Sequence, residues 1–200
     1  MSEFPRRDFL TLLAGPALTL RAASGKPNFV VIFADDLGYG DLACFGSRTN
    51  RTPHLDRTAQ EGARFTDFYV PMPFCAPSRS SMLTGRYPFR TGVTSNPAPD
   101  SGINDIGLPA EEITIAEALK PLGYASMCIG KWHLGHTPQF LPRTQGFDEY
   151  YGILYSNDMR PVQIVHNEKV EVYPVVQGRL TQEYTARALR FIEQNRERPF

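Results

Sequence analysis

Three short stretches of this 200-residue chain bring together side chains able to do chemistry. The first is Cys75-Ala76-Pro77-Ser78-Arg79, followed by Leu83-Thr84-Gly85-Arg86. It pairs a sulfur that can act as a nucleophile with a guanidinium one helical turn away, suited to holding an anion. The second is Asp35-Asp36, two hard oxygen donors suited to Ca²⁺ or Mg²⁺ and poorly suited to soft metals. The third is Lys131-Trp132-His133. Residues two apart on extended backbone point the same way, so the lysine could clamp an anion that the histidine serves as a base, with Trp132 turned into packing. Each stretch has a plainer reading. Cys75 alone reads as a core cysteine or a simple thiol nucleophile, and two neighbouring acids alone read as a turn or a helix cap.

The elements around these stretches decide between the readings. Asn28 to Ala34 is an unbroken apolar run rich in β-branched and aromatic residues, the pattern of a strand covered on both faces of a parallel sheet. It delivers Asp35 and Asp36 at its carboxyl end, where open α/β sheets hold their ligands. Thr52-Pro53 opens a helix to about Gly62, with proline at its first position. Ser78 to Leu83 forms the first turn of a helix leaving Cys75, whose free N–H groups favour an anion. Thr114-Ile115-Ala116-Glu117 is a capping box, with Pro121 ending its helix early. Tyr124 to Ile129 is a second apolar strand, and it delivers Lys131 and His133. A last helix runs from Thr181 to about Asn195, with Tyr184, Ala188, Leu189 and Ile192 on one face. Asn96 to Pro109 is a loop. Helices alternating with buried strands give an α/β layered fold.

Composition narrows the field. Twenty-one basic and twenty-one acidic residues cancel, leaving no global field for nucleic acid or an anionic membrane. Three cysteines without metal-site spacing make neither a disulfide scaffold nor a zinc site. Residues 1–24 read as an address: Arg6-Arg7 precedes a mildly apolar stretch from Leu10 to Leu20 and the small residues Ala22-Ala23-Ser24. This resembles a twin-arginine export signal, and the stretch is too short for a stable membrane span. The chain is expected to be exported, to the periplasm or beyond. His54 and His166 read as surface residues, and Asp41 as structural.

The ordered set of motifs resembles the type I, arylsulfatase A-like sulfatases. C-x-P-S-R with L-T-G-R is similar to their modification motif, and Asp35 to Leu42 to their first metal segment. Arg64 to Tyr69, Gly130 to Gly135, Gly146-Phe147-Asp148 and Gly152 to Asp158 match further segments in the same order. The resemblance implies an alkaline-phosphatase-like sandwich, a central mostly parallel sheet between helices. It implies that a formylglycine-generating enzyme oxidises Cys75 to Cα-formylglycine, whose hydrated aldehyde attacks sulfur and later expels sulfate. It also implies Arg79 as holder of that aldehyde, Lys131 as sulfate clamp, and His133 as partner of its hydroxyl. Ser156 would be a sulfate contact, and Asp35, Asp36 and the modified Cys75 ligands of Ca²⁺, or of Mg²⁺. The substrate would be a sulfated small molecule or carbohydrate. Family members carry further metal ligands and a second histidine and lysine in segments past the point matched by Phe200. This sequence is therefore expected to be the N-terminal half of a catalytic domain, truncated on the C-terminal side. The alternatives are a phosphonate or phosphate ester hydrolase of the same superfamily, or an inactive remnant.

Overall fold

The computed structural model describes residues 25–99 and 106–200. The export signal read in residues 1–24 lies outside the described residues. Among the described residues, five α-helices and four strands carry the architecture: α1 Pro53–Glu61, α2 Cys75–Thr84, α3 Pro88–Thr91, α4 Ile115–Leu119 and α5 Leu180–Asn195, with β1 Met127–Ile129, β2 Glu149–Gly152, β3 Ile164–His166 and β4 Lys169–Val172.

The strands form one sheet in the order β1-β2-β3-β4. β1 and β2 are parallel, with Cys128 opposite Tyr150, whereas β2–β3 and β3–β4 are antiparallel. The described sheet is thus mixed, one parallel pair in three. Successive strand residues face opposite sides of a sheet, and the core divides accordingly. Tyr150 and Val165 join Ala76 and Leu83 of α2 with Trp132 and Leu134 on one face. Tyr151 and Ile164 join Leu180 of α5 on the other. Helices therefore cover both faces, as an α/β sandwich requires. β4 is an exposed edge whose Lys169 and Glu171 discourage further pairing.

Helix ends follow their local chemistry. Thr114 accepts from the Glu117 N–H and the Glu117 carboxylate accepts from the Thr114 N–H, closing the expected capping box. The α-helix stops at Leu119 and tightens to a 3₁₀ turn over Lys120–Leu122, which contains Pro121. Helix α2 ends on Gly85 at φ 68°, a left-handed cap that glycine adopts without strain.

Two expectations are corrected. The run Asn28 to Ala34 forms no strand, and it is exposed: Val31 is 63% and Ile32 84% accessible. Its one backbone bond to another segment among the described residues runs from the Phe29 N–H to the Phe200 carbonyl. Without a ladder partner on either side, an apolar run has neither the hydrogen bonds nor the cover of a buried strand. On α5, Leu189 is exposed while Phe191 is buried, so the inward face is Leu180, Tyr184, Ala188, Phe191 and Ile192. The helix begins one residue earlier than expected and turns that face to β1 and β2.

Candidate active site

Cys75 is the first residue of α2, half-buried and with a free thiol. Phe74 before it is extended at φ −128° and ψ 149°, so the chain arrives as an open strand and turns into helix at the cysteine. Proline at position 77 suits a first turn, where an N–H would lack an intrahelical partner in any case. The first turn consequently offers fewer free donors than its position suggests. Pro77 has none, and the Ala76 N–H is given to Oδ1 of Asn96 at 2.8 Å.

Arg79 lies one turn along, on the buried side of the helix, and is 9% exposed. One terminal nitrogen donates to the Lys131 carbonyl at 2.5 Å, and the other stands 3.9 Å from Oδ2 of Asp35. The guanidinium carbon also stands 5.5 Å from the centre of the Phe33 ring. Burial pulls the Arg79 guanidinium down, and Asp35 opposes that pull. Nε is buried with no hydrogen-bond partner among the described residues.

Lys131 reaches back to Asp35, its Nζ 2.8 Å from Oδ2, and its side chain is 9% exposed against 41% for the aspartate. Arg79, Lys131 and Asp35 thus meet at one corner. Asp36, next in sequence, is exposed at φ 56°, a left-handed conformation uncommon outside glycine, asparagine and aspartate.

His133 is wholly buried, and Nε2 lies 3.0 Å from the Pro97 carbonyl while Nδ1 has no partner among the described residues. Burial and the nearby Lys131 lower its imidazole to about 4, so the ring is neutral near pH 7. The backbone at His133 has φ 61°, so the Lys131–His133 segment is not the regular extended stretch expected from alternation. Trp132 nonetheless packs inward as expected, 2% exposed, its indole N–H given to the Phe140 carbonyl at 2.8 Å. The Trp132 and His133 N–H groups are held by the carbonyls of Ile153 and Leu154, which anchors the left-handed residue to the segment after β2.

Ser156 is half-buried, and its hydroxyl lies 3.5 Å from the Asn157 side-chain oxygen. The neighbouring Asp158 carboxyl is held below its ordinary value by the Ser156 hydroxyl first and its own backbone N–H next, with Lys131 and His133 acting in the same direction. This loop therefore lies within electrostatic reach of both. Sequence reasoning gave Asp158 no role; its place two residues after Ser156 was the available signal.

Other titratable groups have plain surroundings. Burial pushes the Cys128 thiol up to about 12 despite Arg79, which keeps it a neutral core residue. Cys44 and Cys128 are both free thiols. Asp41 accepts from the Gly38 N–H at 2.8 Å, the structural role expected. His54 is exposed, whereas His166 is half-buried and paired with Glu171 at 2.7 Å. Arg86 pairs with the buried Glu112 at 2.5 Å.

The aspartate pair has the donor chemistry of a hard-cation site and too few donors to complete one. Asp35 is already engaged by two cations, and among the described residues no group of three or more His, Cys, Asp or Glu side chains converges. A formylglycine at position 75 fits its surroundings better. It would sit at the start of a helix with the buried Arg79 and His133 and the half-buried Lys131 close to that end, and Arg79 and His133 each keep a buried nitrogen without a partner among the described residues.

The Sulfatase family model matches residues 27–200. Human arylsulfatase A is 50% identical over 161 residues, 80% of this chain and 30% of the relative. The N-acetylgalactosamine-6-sulfatase of Canis lupus familiaris is 38% identical, covering 96% of this chain and 41% of the relative. The crystal structure of Ps i-CgsB in complex with k-i-k-neocarrahexaose superposes with a TM-score of 0.77 at 34% identity, over 88% of this chain and 43% of that one. The chain spans well under half the length of these proteins. The expected alkaline-phosphatase-like α/β sandwich is the fold it shares with them. With a match that runs from the apolar segment before Asp35 to Phe200 and half of the aligned residues identical to a human arylsulfatase, the chain belongs to the sulfatase family.

Proposed function

We propose that this chain carries the nucleophile-bearing part of a sulfuric ester hydrolase of the arylsulfatase type, with Cys75 converted to Cα-formylglycine by a formylglycine-generating enzyme. The observation that carries the reading is the convergence at the start of α2. Arg79 is bonded to the Lys131 carbonyl, Lys131 is paired to Asp35, and the buried Arg79 Nε and His133 Nδ1 lack partners among the described residues. Buried polar atoms are nearly always satisfied, so the orphaned Arg79 N–H favours a bound anionic group, and the orphaned His133 nitrogen a hydroxyl donor beside it.

Formylglycine supplies, once hydrated, a geminal diol that is nucleophile and release device in one residue. The chain's own side chains do the rest. Arg79, fixed by the Lys131 carbonyl and the Phe33 ring, holds positive charge beside position 75. Lys131 binds sulfate oxygen as a compact charge. His133, neutral and with an open lone pair, accepts a proton. Ser156 contributes a hydroxyl to the sulfate. Asp35 and Asp36 would hold a divalent ion, Ca²⁺ by the hardness of their oxygens, which would draw charge from the ester.

The substrate class is a sulfated carbohydrate or small aryl ester, in keeping with the neocarrahexaose bound in the similar structure. No helix among the described residues is long and apolar enough to cross a membrane. Export through the twin-arginine pair of residues 1–24 completes the reading. The test is hydrolysis of a chromogenic aryl sulfate by a complete catalytic domain that carries this chain, co-expressed with the maturation enzyme, beside its Cys75→Ala variant. Turnover that disappears in the variant is the expected result; equal turnover in both would overturn the assignment.

A further inference from the structure

Helix α2 begins without a cap of its own. Phe74 at the N-cap has no side-chain acceptor, and the first helical bond is from the Ser78 N–H to the Phe74 carbonyl at 3.1 Å. The Ala76 N–H is taken instead by Oδ1 of Asn96, 2.8 Å away and 20 residues further along the chain. The next residue, Pro97, is buried, and its carbonyl lies 3.0 Å from Nε2 of His133. A carbonyl only accepts, so Nε2 carries the proton in this bond, and the neutral ring keeps its lone pair on Nδ1. That Nδ1 is the buried nitrogen with no partner among the described residues.

Proline makes the two contacts a unit. Its ring fixes its own φ and biases Asn96 before it to extended backbone, which narrows the relative orientations open to the Asn96 side chain and the Pro97 carbonyl. Packing alone does not ask for this arrangement, since apolar residues would fill the same space without either bond.

We propose that Asn96-Pro97 is a positioning clip for the site: Asn96 fixes the turn of α2 that carries Cys75, and Pro97 selects the Nε2–H tautomer of His133, leaving Nδ1 as the proton acceptor. The significance of the clip rests on the function proposed above for Cys75 and His133, but its geometry can be tested without turnover. In ¹⁵N-histidine-labelled protein, long-range proton–nitrogen correlations near neutral pH distinguish the tautomers, with His133→Gln assigning the signal. A single Nε2–H form is expected, and a protonated Nδ1 or an even mixture would overturn the proposal.

Asn96→Ala should raise the exchange rate of the Ala76 amide by about tenfold, the effect of a lost cap, and mix the His133 tautomers. Asn96→Asp keeps an acceptor and should preserve both signatures. Unchanged exchange and tautomer in Asn96→Ala would refute the clip; if that variant fails to fold, the wild-type spectrum decides alone. In the matured enzyme, Asn96→Ala should lower kcat by about tenfold and leave KM within about twofold. A single Nε2–H tautomer together with no turnover in any version would fault the sulfatase reading and support the clip, whereas an active enzyme with mixed tautomers would fault the clip.

Discussion

Acid should weaken the fold through His133, and the size of the effect follows from its surroundings. The ring is fully buried, and burial with the nearby Lys131 lowers its proton affinity from the ordinary 6.5 to about 4. The unfolded chain therefore binds a proton that the folded chain refuses between those two values. Stability from this residue is complete above about pH 6.5, falls as the pH drops through the window, and levels off below about pH 4. At 1.36 kcal/mol per tenfold change in proton affinity, the loss is roughly 3 kcal/mol. Urea unfolding of the wild type and His133→Gln at about pH 7.5 and about pH 4 isolates it, because carboxylate effects common to both chains cancel in the difference. Glutamine can still donate to the Pro97 carbonyl and does not titrate. The wild type should be the more stable at the higher pH, and its advantage should shrink by roughly 3 kcal/mol at the lower. An advantage that is constant, or that grows toward acid, would refute the argument.

Four further outcomes are expected. Thr114→Ala removes the Thr114 hydroxyl from the Glu117 N–H at 3.2 Å and from the Gln145 carbonyl at 2.8 Å; it should lower stability by about 1–2 kcal/mol, read from urea midpoints. Glu112→Gln breaks the Arg86 pair at a carboxylate that is 7% exposed; it should cost about 1–3 kcal/mol, whereas Glu61→Gln in the exposed Arg57 pair should cost under about 0.5 kcal/mol by the same measurement. Calcium titrated calorimetrically onto the 200-residue chain should bind no more tightly than about millimolar, since two carboxylates supply only part of a shell of roughly six to eight oxygens. A reporter fused to residues 1–24 should be exported by the twin-arginine route, and replacing Arg6 and Arg7 by lysine should abolish export, as judged by reporter activity in periplasmic fractions.

Local signals were legible in the sequence and non-local ones were not. The Thr114 capping box, the Pro53 helix start and the helix leaving Cys75 depend on residues a few positions apart, and each appears where its residues predict. The fold class and the family could be read because the motifs recur in a fixed order. Burial of Asn28 to Ala34 depends on which strands flank it, and a run of apolar residues carries no record of its neighbours. The β3–β4 hairpin turns through Asn167 at φ 56° without the Asn-Gly pair that marks such turns. At the site, Arg79, Lys131 and Asp35 were named from sequence, but their mutual bonds span 52 and 96 positions and could not be. Asn96 and Pro97 signal only a loop in the sequence, since an asparagine before a proline is an ordinary turn signal until the fold brings it to Ala76 and His133.

Whether Cys75 becomes formylglycine can be read by mass. Protein produced with a formylglycine-generating enzyme is digested, and the peptide carrying residue 75 is weighed and treated with a hydrazide. An aldehyde is expected in place of the CH₂SH side chain, trapped as the hydrazone, in the peptide that contains Ala76-Pro77-Ser78-Arg79. An intact thiol throughout, while a control sulfatase in the same cells is converted, would contradict the proposed conversion.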